Sequence, residues 1–214
     1  MSSKASKKLF INEDEPTDWF DAVYSNTDLS GKNVPWANMT THPIFQKWLD
    51  QNKLIGNGKS ALVVGCGLGD DAIILEQLGF EVTAFDVSKQ AIALCKKRFP
   101  DSKVNFVQAD LLKGLSKWKH QFEFVLEIYT IQALPPKYET TAIANISELL
   151  SPGGQLMVIT AVQHQKRDFK LGPPWLLTSD YVASFEKNGL FKTHQEISKK
   201  ADFGGESHLT IFRR

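Results

Sequence analysis

The 214-residue sequence has few of the features that mark a secreted, membrane-bound or nucleic-acid-binding protein. It contains two cysteines, Cys66 and Cys95, which are too few for a disulfide framework and favour a reducing, cytoplasmic setting. No apolar run approaches the roughly 18 residues of a membrane span, and the polar, basic start MSSKASKKLF lacks the apolar stretch of a signal peptide. The formal net charge of +1 gives no global field for nucleic acid or an anionic membrane. We therefore expect a cytoplasmic globular protein without a membrane or nucleic-acid partner.

From Ser60 onward, short apolar segments alternate with longer amphipathic ones. The short segments are rich in aliphatic and β-branched residues and predict strands, whereas the longer segments predict helices. The predicted strands are 61–65, 81–86, 104–110, 122–127 and 155–161, and the predicted helices are 70–79, 88–99 and 138–150. Asp70 and Ser88 are predicted helix N-caps, while Gly79 and the SPGG stretch at 151–154 are predicted to end helices. This alternation predicts a parallel sheet that is covered by helices on both faces.

The two ends of the chain depart from this alternation. Segments 190–197 and 207–214 have no helical pattern between them, so we expect them to pair as antiparallel strands that are joined by a turn-rich loop. Before residue 60, the segments DWFDAVYSN and HPIFQKWLDQN have the spacing of amphipathic helices. They predict a helical cap on the same domain.

The stretch VVGCGLGDD, residues 63–71, places a glycine-rich turn directly after the first predicted strand. Gly65 and Gly67 permit positive φ and close approach of a ligand, because glycine has no Cβ. In an open α/β sheet, ligands bind beyond the carboxyl ends of the strands, where this turn lies. The dinucleotide pattern G-x-G-x-x-G does not fit, since Gly69 comes one residue early and two aspartates follow it. Two carboxylates at the start of a helix would repel a pyrophosphate, so the turn favours a nucleoside without phosphates.

Acidic side chains end the next predicted strands. Asp86 ends the second strand, 21 residues after Gly65, where a carboxylate can accept hydrogen bonds from both hydroxyls of a ribose. Asp110 ends the third strand and could accept a hydrogen bond from the exocyclic adenine amine, while Leu111 could present its backbone N–H to the ring. Glu127 ends the fourth strand and is expected to face the centre of the cleft. Any one of these residues could be structural, but their joint pattern after the glycine turn favours an adenosyl cofactor.

Residues 58–161 resemble the class I S-adenosylmethionine-dependent methyltransferases on this glycine turn and these acidic strand ends. The resemblance implies S-adenosylmethionine as the cofactor and S-adenosylhomocysteine as the product. It also implies an α/β, doubly wound, Rossmann-like fold, with a seven-stranded, mostly parallel sheet and an antiparallel last strand. Val63 is a departure, because the family often has an acidic residue at this position.

Together with the N-terminal helical pattern, this fold predicts how the chain is organised. We expect residues 1–12 to form a flexible tail and residues 13–214 to form a single methyltransferase domain. The predicted parts of that domain are an N-terminal helical cap (13–58), a cofactor-binding core (59–161) and a substrate loop with the C-terminal strands (162–214).

Segments outside the cofactor core resemble the subgroup of thiol, halide and thiopurine methyltransferases, whose first motif often lacks the acidic residue. These segments are DWFDAVYSNTDLSGKNVPW, EIYTIQALPP and LGPPWLLTSD, and the GGE before the final strand also fits. Two positions depart from the subgroup. Ile128 stands where thiopurine enzymes carry an arginine, which disfavours an aromatic thiopurine substrate, and Ala37 follows Pro-Trp where members often have Asp.

Carried over residue by residue, the resemblance implies a complete site. Tyr24 and Trp36 would close over the methionine part of the cofactor, Asp86 would hold the ribose, and Glu127 would lie near the methionine amine. The residues expected to bind the cofactor are Tyr24, Trp36, Gly65, Cys66, Gly67, Asp86, Val87, Asp110, Leu111 and Glu127. The residues expected to shape the acceptor pocket are Ile128, Tyr129, Thr130 and Trp175, with Tyr129 as the candidate catalytic residue.

The expected reaction is an in-line displacement, because the positive sulfur of a sulfonium is already an activated leaving group. A thiol acceptor with a pKa near ~8.5 is partly ionised at neutral pH and needs little help from a base. His164 follows the fifth strand and His42 follows the loop that holds Trp36, but each is more typical of a solvated or structural histidine. We therefore predict a small-molecule acceptor that is a thiol or another soft nucleophile.

Three alternatives stay open. The chain could be an O- or N-methyltransferase of a small metabolite, or a protein that binds the adenosyl cofactor without catalysis. It could also be an RNA or protein methyltransferase, although the near-zero net charge and the lack of a basic, aromatic-laced appendage argue against RNA. The Cys and His residues do not have metal-ligand spacing, so no metal is predicted. The expected assembly is a monomer or a homodimer.

Overall fold

The computed structural model describes residues 12–165, 170, 172–199, 201 and 204–214. Apart from Asn12, the predicted tail at 1–12 lies outside the described residues. The helices are α1 (Asp18–Ser25), α2 (Pro43–Gln51), α3 (Asp70–Gln77), α4 (Lys89–Arg98), α5 (Glu139–Leu149) and α6 (Tyr181–Lys187). The strands are β1 (Ser60–Val64), β2 (Glu81–Asp86), β3 (Asn105–Gln108), β4 (Phe122–Ile128), β5 (Leu150–Val162), β6 (Phe191–Ser198) and β7 (Glu206–Arg213).

The strands form one seven-stranded sheet in the order β3-β2-β1-β4-β5-β7-β6. The first five strands pair in parallel, whereas β7 runs antiparallel to both β5 and β6. The predicted α/β fold class, including the antiparallel last strand, is therefore confirmed. The chain order reverses between β1 and β4, and a reversal of this kind opens a crevice at the carboxyl ends of the two strands.

Helices cover both faces of the parallel part of the sheet, as a parallel sheet requires, whereas the edge strand β6 is largely exposed. Helices α2, α3 and α4 cover one face and bury Phe45, Leu75 and Cys95 completely. Helices α5 and α6 cover the other face, where Ile146 and Phe185 are fully buried. Each of these side chains removes its apolar surface from water, which contributes roughly 25 cal/mol per Å². Among the described residues, no helix reaches the length and apolarity of a membrane span.

The predictions for the helix ends are confirmed in part. Ser88 caps α4 as predicted, since its Oγ accepts a hydrogen bond from the backbone N–H of Ala91 at 3.1 Å. The prediction that Asp70 caps α3 is wrong, because Gly69 takes the cap position with φ of +90° and Asp70 is the first helical residue. The SPGG stretch at 151–154 belongs to an irregular start of β5, where the register with β4 shifts, because α5 has already ended at Leu149.

Candidate functional site

A cavity of about 440 Å³ lies at the carboxyl ends of β1, β2 and β4 and is covered by residues of the N-terminal segment. Its volume falls within the range of small-molecule sites, which are commonly ~300–1,000 Å³. Twelve of the fourteen residues predicted for cofactor and acceptor line it. They are Tyr24, Trp36, Gly65, Cys66, Gly67, Asp86, Val87, Asp110, Leu111, Ile128, Tyr129 and Thr130. Within the ranges the structure describes, Glu127 and Trp175 do not line the cavity.

The glycine turn forms the floor of the cavity and is packed closely against the turn after β4. Gly65 has φ of +58°, and a Cβ at this position would lie 2.7 Å from Cγ2 of Thr130. Gly67 has φ of +55°, and a Cβ there would lie 3.2 Å from the Tyr24 hydroxyl oxygen. Only glycine meets both the backbone conformation and the space at these positions.

Asp86 ends β2 and is almost fully buried at the edge of the cavity. Its Oδ2 accepts a hydrogen bond from the Gly67 N–H at 3.0 Å, and its Oδ1 accepts one from the Ser88 N–H at 2.9 Å. Burial raises the pKa of Asp86 to about 6, although these two hydrogen bonds lower it. A carboxylate has about four lone-pair sites, so each oxygen can still accept a further hydrogen bond from a ligand hydroxyl.

Aromatic side chains from the N-terminal segment cover the glycine turn. The Tyr24 hydroxyl accepts a hydrogen bond from Trp36 Nε1 at 2.9 Å, and the two rings meet edge to face. Asp21 on α1 accepts a hydrogen bond from the Ser88 hydroxyl, which attaches α1 to the start of α4. The predicted pair of covering aromatics is therefore held above Gly67 by contacts with the cofactor-binding core.

The two aspartates after the glycine turn have separate partners. Asp70 forms a bidentate ion pair with Arg98, with both N–O distances at 2.8 Å, so its charge is largely neutralised. Asp71 accepts a hydrogen bond from the His42 backbone N–H at 2.8 Å. Burial raises the pKa of Asp71 to about 7. The expected repulsion of a pyrophosphate is therefore reduced at both residues, because Arg98 offsets the charge of Asp70 and the raised pKa of Asp71 lowers its charge at neutral pH.

The predicted role of Glu127 at the methionine amine is corrected by the structure. Glu127 is fully buried within the sheet, where it pairs with Val64 and Val158, and it is not among the described residues that line the cavity. Its Oε1 accepts hydrogen bonds from the backbone N–H groups of Thr130 at 2.7 Å and Ile131 at 3.1 Å. Glu127 thus fixes the turn that presents the acceptor residues, and its Oε2 has no hydrogen-bond partner within the described residues.

The ionisation of Glu127 predicts a pH effect on stability. Burial raises the pKa of Glu127 from 4.5 to about 7, although the hydrogen bonds from the Ile131 and Thr130 N–H groups lower it. The folded state therefore holds this proton more strongly than the unfolded state does. Stability therefore falls as pH rises from about 4.5 to about 7. We expect Glu127→Gln to flatten that decline in urea unfolding measured across this range. The exposed Glu81→Gln is the control, and an equal flattening by both variants would contradict the assignment.

Trp175 is the second predicted site residue that lies outside the described cavity lining. Its side chain is buried and packs on Gly172, and its backbone N–H donates to the Gln132 carbonyl at 2.7 Å. The neighbouring Pro173 and Pro174 line the cavity instead. The Gly-Pro-Pro segment therefore does reach the cavity, as its resemblance implied, but through its prolines.

The sequence-based prediction did not place His42 at the cavity. This residue precedes α2, as expected, but it is buried and lines the cavity, where its ring meets the Tyr129 ring edge to face at 5.2 Å. His164 is largely exposed and lies 3.4 Å from a Glu206 oxygen, as a solvated histidine would. No spacing in the sequence could have linked His42 to Tyr129, because the contact depends on how the N-terminal segment packs on the sheet.

The acceptor side of the cavity thus combines an apolar wall with a few polar groups. Ile128 and Leu134 contribute apolar surface, while His42, Asp71 and Tyr129 bring nitrogen and oxygen atoms. In the parts of the chain that the structure describes, no three His, Cys, Asp or Glu residues are grouped as metal ligands.

Comparisons with known proteins identify what this arrangement is similar to. A family model described as a methyltransferase domain matches residues 61–154. A ubiquinone biosynthesis O-methyltransferase from Coxiella burnetii is 26% identical over 207 residues, which cover 94% of this chain and 85% of the relative. The probable thiol methyltransferase 2 of Arabidopsis thaliana is 26% identical over 160 residues, covering 72% of this chain and 66% of the relative.

A solved structure shares the fold at low identity. The N-methyltransferase NodS from Bradyrhizobium japonicum, in complex with S-adenosylhomocysteine, superposes with a TM-score of 0.67 at 18% identity. The alignment covers 93% of this chain and 98% of that structure. The domain match supports the predicted methyltransferase class, and the superposition shows the shared fold.

Proposed function

We propose that the chain is an S-adenosylmethionine-dependent methyltransferase of the class I type and that it methylates a small-molecule acceptor. One observation carries this proposal: twelve of the fourteen residues predicted for the cofactor and the acceptor line the same cavity of about 440 Å³. A cavity of this size that also holds an adenosyl cofactor leaves room for a small acceptor only. The proposed assembly, a monomer or homodimer, and the cytoplasmic location remain predictions.

The residues at the cofactor end fit an adenosyl group without phosphates. Asp86 would accept hydrogen bonds from the ribose hydroxyls with the lone pairs that Gly67 and Ser88 leave unused. Asp110 and Leu111 would frame the adenine. The Asp110 Oδ1 already accepts a hydrogen bond from the Leu112 N–H at 2.9 Å, which fixes the carboxylate at the cavity edge.

When bound, S-adenosylmethionine supplies an electrophilic methyl group on a sulfonium. The chain contributes position and exclusion of water. Tyr24 and Trp36 cover the glycine turn, and aromatic faces near a cation stabilise it by ~0.5–2 kcal/mol. Holding the acceptor in line with the methyl group can lower the barrier by ~7–11 kcal/mol. The turn at Ile128–Thr130, which Glu127 fixes through two backbone hydrogen bonds, would provide that position.

Two acceptor classes follow from different observations. The resemblance to thiol methyltransferases and the Arabidopsis relative favour a thiol. The ubiquinone O-methyltransferase relative, which aligns with 94% of this chain, favours a hydroxyl acceptor. We therefore propose two candidate acceptors, a thiol and a hydroxyl compound.

A panel of acceptors with methyl-labelled S-adenosylmethionine tests the proposed function. The panel contains small thiols, phenols, carboxylic acids and amines, together with total RNA and a protein extract. We expect label in at least one small molecule and none above background with Asp86→Ala. Cofactor binding without transfer to any acceptor would favour the non-catalytic alternative, and label in RNA or protein alone would contradict a small-molecule acceptor.

A further inference from the structure

The geometry points to His42 as the general base of the acceptor site, and to a largely apolar acceptor that carries a weakly acidic hydroxyl group. This inference rests on the proposed function and selects the second of its two acceptor classes. It assigns to the N-terminal segment a chemical role in addition to covering the cofactor.

His42 is held firmly at the cavity. It lies directly before α2, with 9% of its surface exposed. Its backbone N–H donates to Asp71 Oδ1 at 2.8 Å, and its carbonyl accepts a hydrogen bond from the Gln46 N–H at 2.8 Å. Both backbone groups are therefore fixed, one by the start of α3 and the other by the first turn of α2. A histidine fixed by two elements is pre-organised to act on a ligand in the cavity.

Tyr129 meets His42 in an unusual backbone conformation. Its φ is +59°, which costs a non-glycine residue of order 1–3 kcal/mol and persists only where the surroundings enforce it. The Tyr129 backbone N–H donates to the Ile159 carbonyl at 3.0 Å, which keeps the residue in register with β5. The ring then stands at 86° to the His42 ring, with the centroids 5.2 Å apart. This strained residue therefore brings its ring to the histidine at the mouth of the crevice between β1 and β4.

The other lining residues indicate the polarity of the acceptor. Ile128, Pro173 and Pro174 line the cavity and give it apolar surface, which suits an acceptor that is largely apolar. Polar groups that could meet its hydroxyl group come from His42 and Tyr129, and the carboxylate of Asp71 lines the same cavity.

A base is needed for a hydroxyl acceptor far more than for a thiol. A phenol with a pKa near ~10 is barely ionised at neutral pH, whereas a thiol near ~8.5 is ionised to a few per cent. Histidine is the side chain that most often accepts such a proton, and a positioned base contributes typically ~10²–10⁴-fold in rate. A buried histidine in this cavity can therefore accelerate methylation of a hydroxyl group as a general base, whereas a thiol acceptor would gain little from it.

In the balanced step, the acceptor oxygen forms its bond to the methyl carbon while the bond from that carbon to the sulfonium sulfur breaks. The bonding electron pair stays on sulfur and neutralises its charge. The hydroxyl proton passes to the imidazole of His42, which later releases it to water. No oxidant, reductant or metal is required.

The test compares His42→Gln with wild type on one phenol and one thiol of similar size. We expect the ratio of phenol to thiol kcat to fall at least ~100-fold in His42→Gln. The exposed His164→Gln is the matched control and should leave the ratio unchanged, because His164 lies at Glu206 and outside the described cavity lining.

A binding measurement provides a readout that does not depend on turnover. The chromogenic phenol 4-nitrophenol is added to the wild type in the presence of S-adenosylhomocysteine, and the visible absorbance of its phenolate is recorded. We expect the bound phenolate fraction at a fixed pH to be higher with wild type than with His42→Gln, because a neutral imidazole takes up the proton and glutamine cannot.

The outcomes separate this inference from the proposed function. Transfer to thiols but not to phenols by the wild type would overturn the role of His42 and leave the methyltransferase proposal standing. Phenol methylation that changes less than ~3-fold in His42→Gln would also overturn it. Transfer to no small molecule would overturn the proposed function, and this inference with it.

Discussion

Asp86→Ala is expected to weaken the binding of S-adenosylhomocysteine by about 100-fold or more. A hydrogen bond to a charged group contributes ~1.5–3 kcal/mol, and Asp86 is proposed to accept two from the ribose. Loss of about 3 kcal/mol corresponds to roughly a 100-fold change in Kd. Isothermal titration calorimetry with the demethylated cofactor measures this change directly and does not need an acceptor.

Controls distinguish a lost ligand contact from a damaged turn. Asp86 also accepts hydrogen bonds from Gly67 and Ser88, so each variant needs a melting temperature beside its Kd. Asp86→Asn retains one acceptor oxygen and should fall between wild type and alanine. The exposed Asp101→Ala should bind like wild type. An Asp86→Ala protein that folds and binds within ~3-fold of wild type would contradict the ribose assignment.

Gly65→Ala is expected to remove detectable cofactor binding and to lower the free energy of unfolding by about 2–5 kcal/mol. The left-handed conformation at φ of +58° costs a non-glycine residue roughly 1–2 kcal/mol. The added Cβ would also collide with the Thr130 side chain, 2.7 Å from its Cγ2, and forced overpacking costs roughly 1–3 kcal/mol more. Urea unfolding and calorimetry measure the two effects on the same protein.

The chain provides a matched control for this substitution. Gly58 has φ of +77°, but a Cβ there would meet nothing within 4 Å. Gly58→Ala therefore reports backbone strain without a collision and should leave cofactor binding intact. Adding Thr130→Ala to Gly65→Ala removes the colliding atoms and should restore part of the stability. Equal losses in Gly58→Ala and Gly65→Ala would show that the contact with Thr130 is unimportant.

Local patterns in the sequence were sufficient for the fold and for the placement of the glycine turn and Asp86 at the cavity. Alternation of short apolar and longer amphipathic segments predicted the parallel strands and their helices. A strand that is buried on both faces has a nearly continuous run of apolar residues, and such a run can be recognised in the sequence. The glycine turn and Asp86 were also predictable, since each lies at the end of a strand and the carboxyl ends of parallel strands meet at one edge. Those positions depend on the order of elements and not on the packing of side chains.

The sequence by itself therefore determined the sheet, its antiparallel end and the residues that follow β1 and β2. Only the tertiary structure decided which way Glu127 faces, that Pro173 and Pro174 reach the cavity in place of Trp175, and that His42 meets Tyr129. The physical reason is that these outcomes depend on packing between segments far apart in the chain. A strand pattern shows that Glu127 is buried or half-buried, but its hydrogen-bond partners come from the turn after β4. The position of His42 depends on how the N-terminal segment packs on the core, and the hydrogen bond from its backbone N–H to Asp71 is one of the contacts that no local pattern predicts.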